Sequence, residues 1–198
     1  MFLSMSKQAY VPTLLQLFRQ FGYEGVTLSK ISQATGLGKA SLYHHFPGGK
    51  AEMAEAALTQ VNQWLETKIV PLLMSAASLG SGDRLIPPID AFQSMCEETN
   101  RFFNEGQNSC LWAVLVLEQS SDALFHAQIS WAFATWIEAI AHVLITAGLP
   151  ETLAIQRGED AMIAIQGALI VSHGLHNVAP FQRVLHQLPQ HLCQGIGS

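Results

Sequence analysis

Apolar residues recur every three to four positions along most of the chain, a spacing that predicts amphipathic α-helices almost throughout. No stretch alternates apolar and polar residues for long enough to predict a strand. We therefore expect an all-α protein. The predicted helices cover 11–21, two short stretches within 27–46, then 50–77, 89–104, 110–118, 123–147, 151–175 and 181–193.

Turn-forming residues separate these helices. The glycine, serine and proline residues of 79–88 predict a loop, 106–109 predict a turn, and 148–150 predict a helix stop. Pro71 is expected to end or kink the helix over 50–77, and Asp122 is expected to cap the helix that follows it.

The stretch 27–46 holds two short helical patterns on either side of a glycine turn. Thr27 is a suitable N-cap, and Leu28 and Ile31 give the first helix an apolar face. Gly36 can adopt the positive φ that a sharp helix exit requires. This pattern is typical of a helix-turn-helix that binds duplex DNA, although short amphipathic helices around a glycine also occur in many other helical proteins.

The second of these helices separates buried from outward side chains. Leu42 and Phe46 lie four residues apart and are predicted to face the core. The polar residues between them can donate hydrogen bonds to phosphates or base edges, and an alanine can contact a thymine methyl group. The residues predicted to face outward are Lys39, Ala40, Ser41, Tyr43 and His44.

Residues 1–55 resemble the DNA-binding domain of the tetracycline-repressor (TetR) family of transcriptional regulators. The resemblance implies recognition-helix contacts by the five outward residues, and phosphate contacts by Thr27 and Lys50 at the starts of the second and fourth helices. The matching positions are Gly22-Tyr23, Thr27, Ile31, Ala34, Gly36, the run Lys39-Ala40-Ser41-Leu42-Tyr43-His44-His45-Phe46, and Lys50.

Three features depart from the family pattern. Gly38 stands where the family usually has a serine or threonine cap, so the recognition helix is expected to start less firmly. Pro12 lies in the first helix, where it either occupies the first turn or kinks the helix. The first six residues carry no lysine or arginine, so the basic arm of many family members is not expected.

The resemblance also implies two domains and a dimer. Residues 1–49 would form the helix-turn-helix DNA-binding domain, and residues 50–198 a helical ligand-binding and dimerisation domain. The family forms a homodimer through its last two long helices, here 151–175 and 181–193, which sets two recognition helices about 34 Å apart on a palindromic operator. A stripe of mostly small residues at helical spacing would permit close helix approach in that dimer; alternatively, it packs within one chain. The stripe consists of Ala161, Ile165, Ala168 and Ser172.

Charge is distributed unevenly along the sequence. Residues 1–50 carry five basic side chains and one acidic side chain, whereas residues 51–198 carry five basic and fourteen acidic side chains. The whole chain has a net charge of −5. A basic N-terminal part joined to an acidic remainder fits a DNA-binding protein whose second domain stays off DNA, with chance scatter of a few charges as the alternative.

The acidic part of the chain is rich in large apolar side chains. This composition predicts a pocket for a small apolar or aromatic effector, although aromatic residues at helical spacing also form ordinary cores. The pattern around Gly167-Ala168 and Phe181 resembles the LmrA/YxaF-type subgroup, which implies drug-like or flavonoid-like effectors. The residues predicted to contact an effector are Trp64, Phe92, Met95, Phe103, Trp112, Trp131 and His173.

Other chemistry is not expected from the sequence. Three cysteines without a CxxC pair indicate reduced thiols in a cytoplasmic protein, and polar residues interrupt each apolar segment, so no membrane span is predicted. His173 and His176 alone are weak evidence for a metal, so neither a metal nor a cofactor is predicted.

The sequence thus predicts a ligand-responsive repressor and not an enzyme. A dimer would bind a double-stranded DNA operator and release it when a small-molecule effector binds. Two alternatives remain: an all-helical enzyme that uses His173 or Glu138 as an acid–base group, and a constitutive DNA-binding protein with a filled core.

Overall fold

The all-α prediction is confirmed by a computed structural model, which describes residues 6–77 and 86–196. Within those ranges the chain forms helices and turns and contributes no strand. The predicted loop over 79–88 falls mostly outside the described residues. The α-helices are α1 (Val11–Gly25), α2 (Leu28–Thr35), α3 (Lys39–His45), α4 (Gly49–Trp64), α5 (Val70–Ala77), α6 (Pro88–Phe102), α7 (Leu111–Val116), α8 (Gln119–Thr146), α9 (Glu151–Leu175) and α10 (Ala179–Leu192).

Short non-α segments adjoin several of these helices. A 3₁₀ turn at Lys7–Tyr10 precedes α1, and another at Asn104–Gly106 follows α6. A π-helical turn, Leu65–Ile69, joins α4 to α5, and the Val70 N–H bonds to the Leu65 carbonyl five residues back. Pro71 follows at once and has no N–H to donate, so the irregular turn accommodates the proline and the helix continues beyond it. The expected kink is therefore a π-turn placed just before Pro71.

Two predicted helix starts or ends are wrong. The first helix extends four residues beyond Phe21, to Gly25, with a break at Gly22, where φ is 67° and ψ is 179°. Helix α8 starts at Gln119, so Asp122 lies in its first turn instead of capping it. The Asp122 carboxylate instead lies 2.8 Å from His126 Nδ1, one helical turn further on. Pro12 occupies the first turn of α1, where a proline is tolerated.

The chain divides into two compact units. Unit 1 contains residues 1–63 and 110–129, and unit 2 contains residues 64–109 and 130–198. Each unit has its own core of fully buried apolar side chains: Leu14, Phe18, Ile31, Leu42 and Phe46 in unit 1, and Phe92, Met95, Trp136, Ile165 and Phe181 in unit 2. These units describe packing, and the division of function at residue 49 remains a prediction.

The predicted small-residue stripe of α9 faces the core of unit 2. Ala161, Ile165, Ala168 and Ser172 are all at most 6% exposed, and the Ser172 hydroxyl accepts a hydrogen bond from the Phe181 N–H at the start of α10. This supports the alternative of packing within one chain, because a side chain already buried in the monomer has no surface left for a second subunit. A different face of α9 is exposed and apolar, and it consists of Ile163, Ile170, Val171 and Leu175.

Helix α8 is long and apolar enough to cross a membrane by length and composition. No such segment is predicted from the sequence. However, 44% of its most apolar window is buried inside the structure, and core helices of globular proteins pass the same test.

Candidate nucleic-acid interface

The turn between α2 and α3 is fixed by local hydrogen bonds. The Thr27 hydroxyl accepts from the Lys30 N–H at 3.2 Å, which confirms the predicted N-cap. Gly36 has φ 71° and ψ 7°, the left-handed conformation predicted for the helix exit. The Ser32 hydroxyl donates to the Leu37 carbonyl at 2.5 Å, so the chain leaving the turn is held against α2.

Helix α3 rests on two buried side chains and turns its other residues outward. Leu42 is 1% exposed and Phe46 is fully buried, as predicted. Tyr43 is 42% exposed although its side chain is large and aromatic. All the predicted recognition residues of α3 are exposed: Lys39, Ala40, Ser41, Tyr43 and His44.

The two predicted phosphate ligands have different surroundings. Thr27 is exposed, and its oxygen accepts the capping bond, so its hydroxyl proton can be donated outward. Lys50 is half-buried, and its Nζ donates to the Tyr23 carbonyl at 2.9 Å and lies 4.3 Å from the Tyr23 ring centroid. The structure therefore directs the Lys50 ammonium first to a backbone oxygen of its own chain.

A carboxylate organises the approach to α4. Glu52 accepts from Lys7 Nζ at 2.6 Å and from the Gly48 N–H at 2.8 Å, just before α4 begins. The hydrogen bond from Lys7, and then the Gly48 N–H, lower the pKa of the Glu52 carboxyl below its ordinary value. Lys7 is one of the five basic side chains counted in residues 1–50, and the structure pairs it with Glu52 within unit 1.

Sequence reasoning also missed Glu118, which lies in the turn between α7 and α8. Its Oε2 accepts from the Tyr23 N–H at 2.6 Å, across 95 positions of sequence. The available sequence signal was the glycine itself, at position 22 within a helical pattern. In the structure Gly22 breaks α1, and the Tyr23 N–H that follows donates to the carboxylate. Nothing in the local pattern around Glu118 identifies the partner.

Six of the seven predicted effector-contacting residues lie in unit 2, and two of them, Trp64 and Phe103, contact each other. The Trp64 ring stacks on Phe102 with centroids 3.8 Å apart, and its indole N–H donates to Glu98 Oε1 at 3.0 Å. Phe103 packs edge-on against Trp64, while Phe92 and Met95 are fully buried, and Met95 accepts the Trp136 indole N–H. These residues form an aromatic cluster, which we define as Trp64, Phe102, Phe103, Trp136 and Phe181.

The other three predicted effector contacts are not among the residues that define this cluster. Trp112 belongs to unit 1, where its indole N–H donates to Asn62 at 2.8 Å. Trp131 is 40% exposed on α8, and the His173 ring lies 3.5 Å from the Ser109 hydroxyl.

A groove of about 420 Å³ opens between α6 and α10 in unit 2. Its lining is rich in amides, and the Gln182 side chain spans it by donating to Asn100 Oδ1 at 2.7 Å. The seven predicted effector-contacting residues all lie in the described part of the chain, and none of them lines this groove.

Two family descriptions match the chain. Residues 88–187, half of the sequence, match "Transcriptional regulator LmrA/YxaF-like, C-terminal domain". Residues 13–57, which contain α2 and α3, match "Bacterial regulatory proteins, tetR family". The chain belongs to the TetR family of transcriptional regulators. Its C-terminal part is of the LmrA/YxaF-like type, as the pattern around Gly167 and Phe181 predicted.

Individual TetR-family relatives match over nearly the whole chain. The uncharacterized HTH-type regulator YxaF of Bacillus subtilis is 28% identical, covering 93% of this chain and 93% of its own length. The HTH-type transcriptional regulator LmrA of the same organism is 25% identical, covering 93% and 95%. A TetR regulator from Legionella pneumophila has the same fold, with a TM-score of 0.78 at 20% identity over 96% of this chain and 99% of its own.

Proposed function

We propose that this TetR-family regulator is a repressor that binds operator DNA through α3. The observation that carries the proposal is that Leu42 of α3 and Phe46, its C-cap, are buried while the polar face of the helix is exposed. A helix anchored by two core side chains presents its outer residues rigidly, and Lys39, Ser41 and Tyr43 can donate to base edges or phosphates. Thr27 adds a phosphate contact from the start of α2.

The exposed face of α9 supports a homodimer. Ile163 and Ile170 are 69% and 62% exposed and lie seven residues apart on one side of the helix. Gly167 and Gly174 lie on the same side, and a methyl group added at either would meet no atom of the described chain within 4 Å. Small residues beside large apolar ones allow the helices of two subunits to approach closely, and a two-fold dimer would present two α3 helices to a palindromic operator.

The aromatic cluster supports a planar, apolar effector. Trp64 is only 8% exposed, and its ring stacks on Phe102. A flat aromatic molecule would find offset-stacking and edge-on partners there, with Glu98 beside the indole as a polar anchor. Such an effector changes operator affinity only by its preference for one conformation, and a tenfold change needs about 1.4 kcal/mol. A regulator of this kind acts in the cytoplasm, beside the chromosome.

The test is DNA binding by variants of α3. The probe is a fluorescein-labelled duplex selected from a random-sequence library by the wild-type protein, measured by anisotropy. Because both side chains are exposed, Lys39→Ala and Tyr43→Ala should leave the melting temperature unchanged and weaken binding by about tenfold or more. Thr59→Ala, an exposed change on α4, is the control and should bind as the wild type does. Unchanged affinity in both α3 variants would contradict the assignment of this helix.

A further inference from the structure

Glu118 occupies the space that a side chain at Gly22 would need. A methyl carbon built on Gly22 would clash with Glu118 Oε1, so the carboxylate lies directly against the Gly22 backbone. From this position Oε2 accepts the Tyr23 N–H at 2.6 Å and approaches the Glu24 N–H at 3.4 Å. The turn between α7 and α8 thereby holds the last turn of α1 by its backbone.

The same residue, Tyr23, is held on its other side by Lys50. The Lys50 ammonium donates to the Tyr23 carbonyl at 2.9 Å and lies over the Tyr23 ring. The ring is also packed edge-on against Phe125 of α8, with centroids 5.9 Å apart. A carboxylate therefore binds the N–H of one residue and an ammonium binds its C=O, and these two charged groups come from the two separate chain segments of unit 1.

We infer that Glu118 is a positioning residue for DNA binding, which acts through the Tyr23 backbone to set the place of the Lys50 ammonium. This inference rests on the proposed DNA-binding function. It adds a residue far from α3 in sequence, in a segment to which neither the motif nor the family resemblance gave a role.

The chemistry favours this role over simple packing. A hydrogen bond from an N–H to a carboxylate is charge-assisted, so it fixes the Tyr23 peptide more firmly than a neutral acceptor would. An ammonium has three N–H donors, so Lys50 can keep one on the Tyr23 carbonyl and offer the others to a phosphate. The Tyr23 carbonyl thus sets the position of the Lys50 ammonium, and the Glu118 carboxylate fixes the Tyr23 peptide.

The experiment compares two variants that change charge equally. Glu118→Ala removes the carboxylate from the Tyr23 N–H, and Glu24→Ala removes one that accepts from the Ser120 hydroxyl at 2.8 Å, also between α1 and α8. Loss of a negative charge by itself favours binding to DNA, so both variants should bind at least as well as the wild type if only net charge matters. With the selected duplex as probe, we expect Glu118→Ala to bind about tenfold more weakly and Glu24→Ala to bind no more weakly than the wild type.

The salt dependence separates positioning from a general structural effect. Loss of one phosphate contact lowers the slope of log K against log salt concentration by about one per protomer. We expect this decrease in Glu118→Ala and in Lys50→Met, with no further decrease when the two changes are combined. An unchanged slope in Glu118→Ala, or affinity equal to that of Glu24→Ala, would overturn the inference.

Two controls keep these outcomes distinct. Melting curves show whether Glu118→Ala is folded, and if it is not, Glu118→Gln, which keeps an oxygen acceptor without the charge, replaces it under the same criteria. If the wild-type protein selects no duplex from the library, the proposed function itself fails. If the wild type binds and the Glu118 variants follow Glu24→Ala, only the positioning role fails.

Discussion

Replacing Gly22 with alanine should destabilise unit 1 far more than the same replacement at Gly36. Both glycines have positive φ, 67° at Gly22 and 71° at Gly36. Their ψ angles differ. Gly36, at ψ 7°, lies in the left-handed helical region that other residues can enter. Gly22, at ψ 179°, lies in a region that essentially only glycine occupies. Their surroundings also differ, since a methyl group at Gly36 would meet no described atom within 4 Å.

The structure sets the size of the difference. Gly36→Ala should cost about 1–2 kcal/mol of unfolding free energy, the strain of an L-residue in the left-handed region. Gly22→Ala carries about 1–3 kcal/mol of backbone strain. It also forces the Glu118 carboxylate off the Tyr23 N–H, which adds about 1.5–3 kcal/mol for a charged hydrogen bond. We therefore expect a total of about 3 kcal/mol or more for Gly22→Ala.

The assay is urea denaturation followed by far-UV circular dichroism, with hydrogen exchange in α1–α3 to locate the loss in unit 1. A double-mutant cycle isolates the steric part, since Glu118→Ala removes the atoms that a methyl group at Gly22 would strike. In that background Gly22→Ala should cost at least about 1 kcal/mol less than in the wild type. Equal costs at Gly22 and Gly36, or no coupling between Gly22 and Glu118, would refute the reasoning.

Two further predictions concern unit 2. Ile170→Glu places a charge on the exposed apolar face of α9 and should convert a dimer to a monomer, as measured by light scattering. The control Gln93→Glu, on α6, should leave the dimer intact. A dimer that survives Ile170→Glu would exclude this face as the dimer interface. Burial, and then the charge of Glu97, raise the pKa of the Cys96 thiol to about 12, so the folded chain keeps a proton that the unfolded chain loses near pH 8.5. Stability should therefore fall as pH rises from 8 to 10, and Cys96→Ala should flatten this fall in urea denaturation; an unchanged slope would contradict the assignment.

The helix-turn-helix could be predicted from the sequence because its determinants are local. The Thr27 cap, the left-handed Gly36 and the buried pair Leu42 and Phe46 each depend on residues within one or two helical turns. The start of α8 was misplaced because Asp122 is a good cap by residue type, and residue type alone does not reveal that the preceding turn is already helical.

Which face of a helix is buried, and which distant residues pair, could not be predicted in the same way. The stripe of Ala161 and Ile165 and the stripe of Ile163 and Ile170 lie on the same helix, and both have helical spacing. Only packing against α10 and its neighbours decides which stripe is buried. The Glu118–Tyr23 bond joins residues 95 positions apart, and a carboxylate in a surface turn has many possible partners. For the same reason the sequence could not show that Trp112 belongs to unit 1 while the other six predicted effector contacts belong to unit 2.

The excess of basic side chains counted in residues 1–50 does not carry over to unit 1 as a whole. Unit 1 holds five acidic side chains, Glu24, Glu52, Glu55, Glu118 and Asp122, against the five basic ones of residues 1–50. Arg19 is buried, Lys7 is paired with Glu52, and Lys30 and Lys50 donate to backbone carbonyls. Lys39 is exposed on α3, beside hydroxyl and imidazole donors. The affinity of such a unit for DNA depends more on the position of each cation than on the number of cations. A cation that is already bonded to an internal partner can contact a phosphate only in the directions that this partner leaves open.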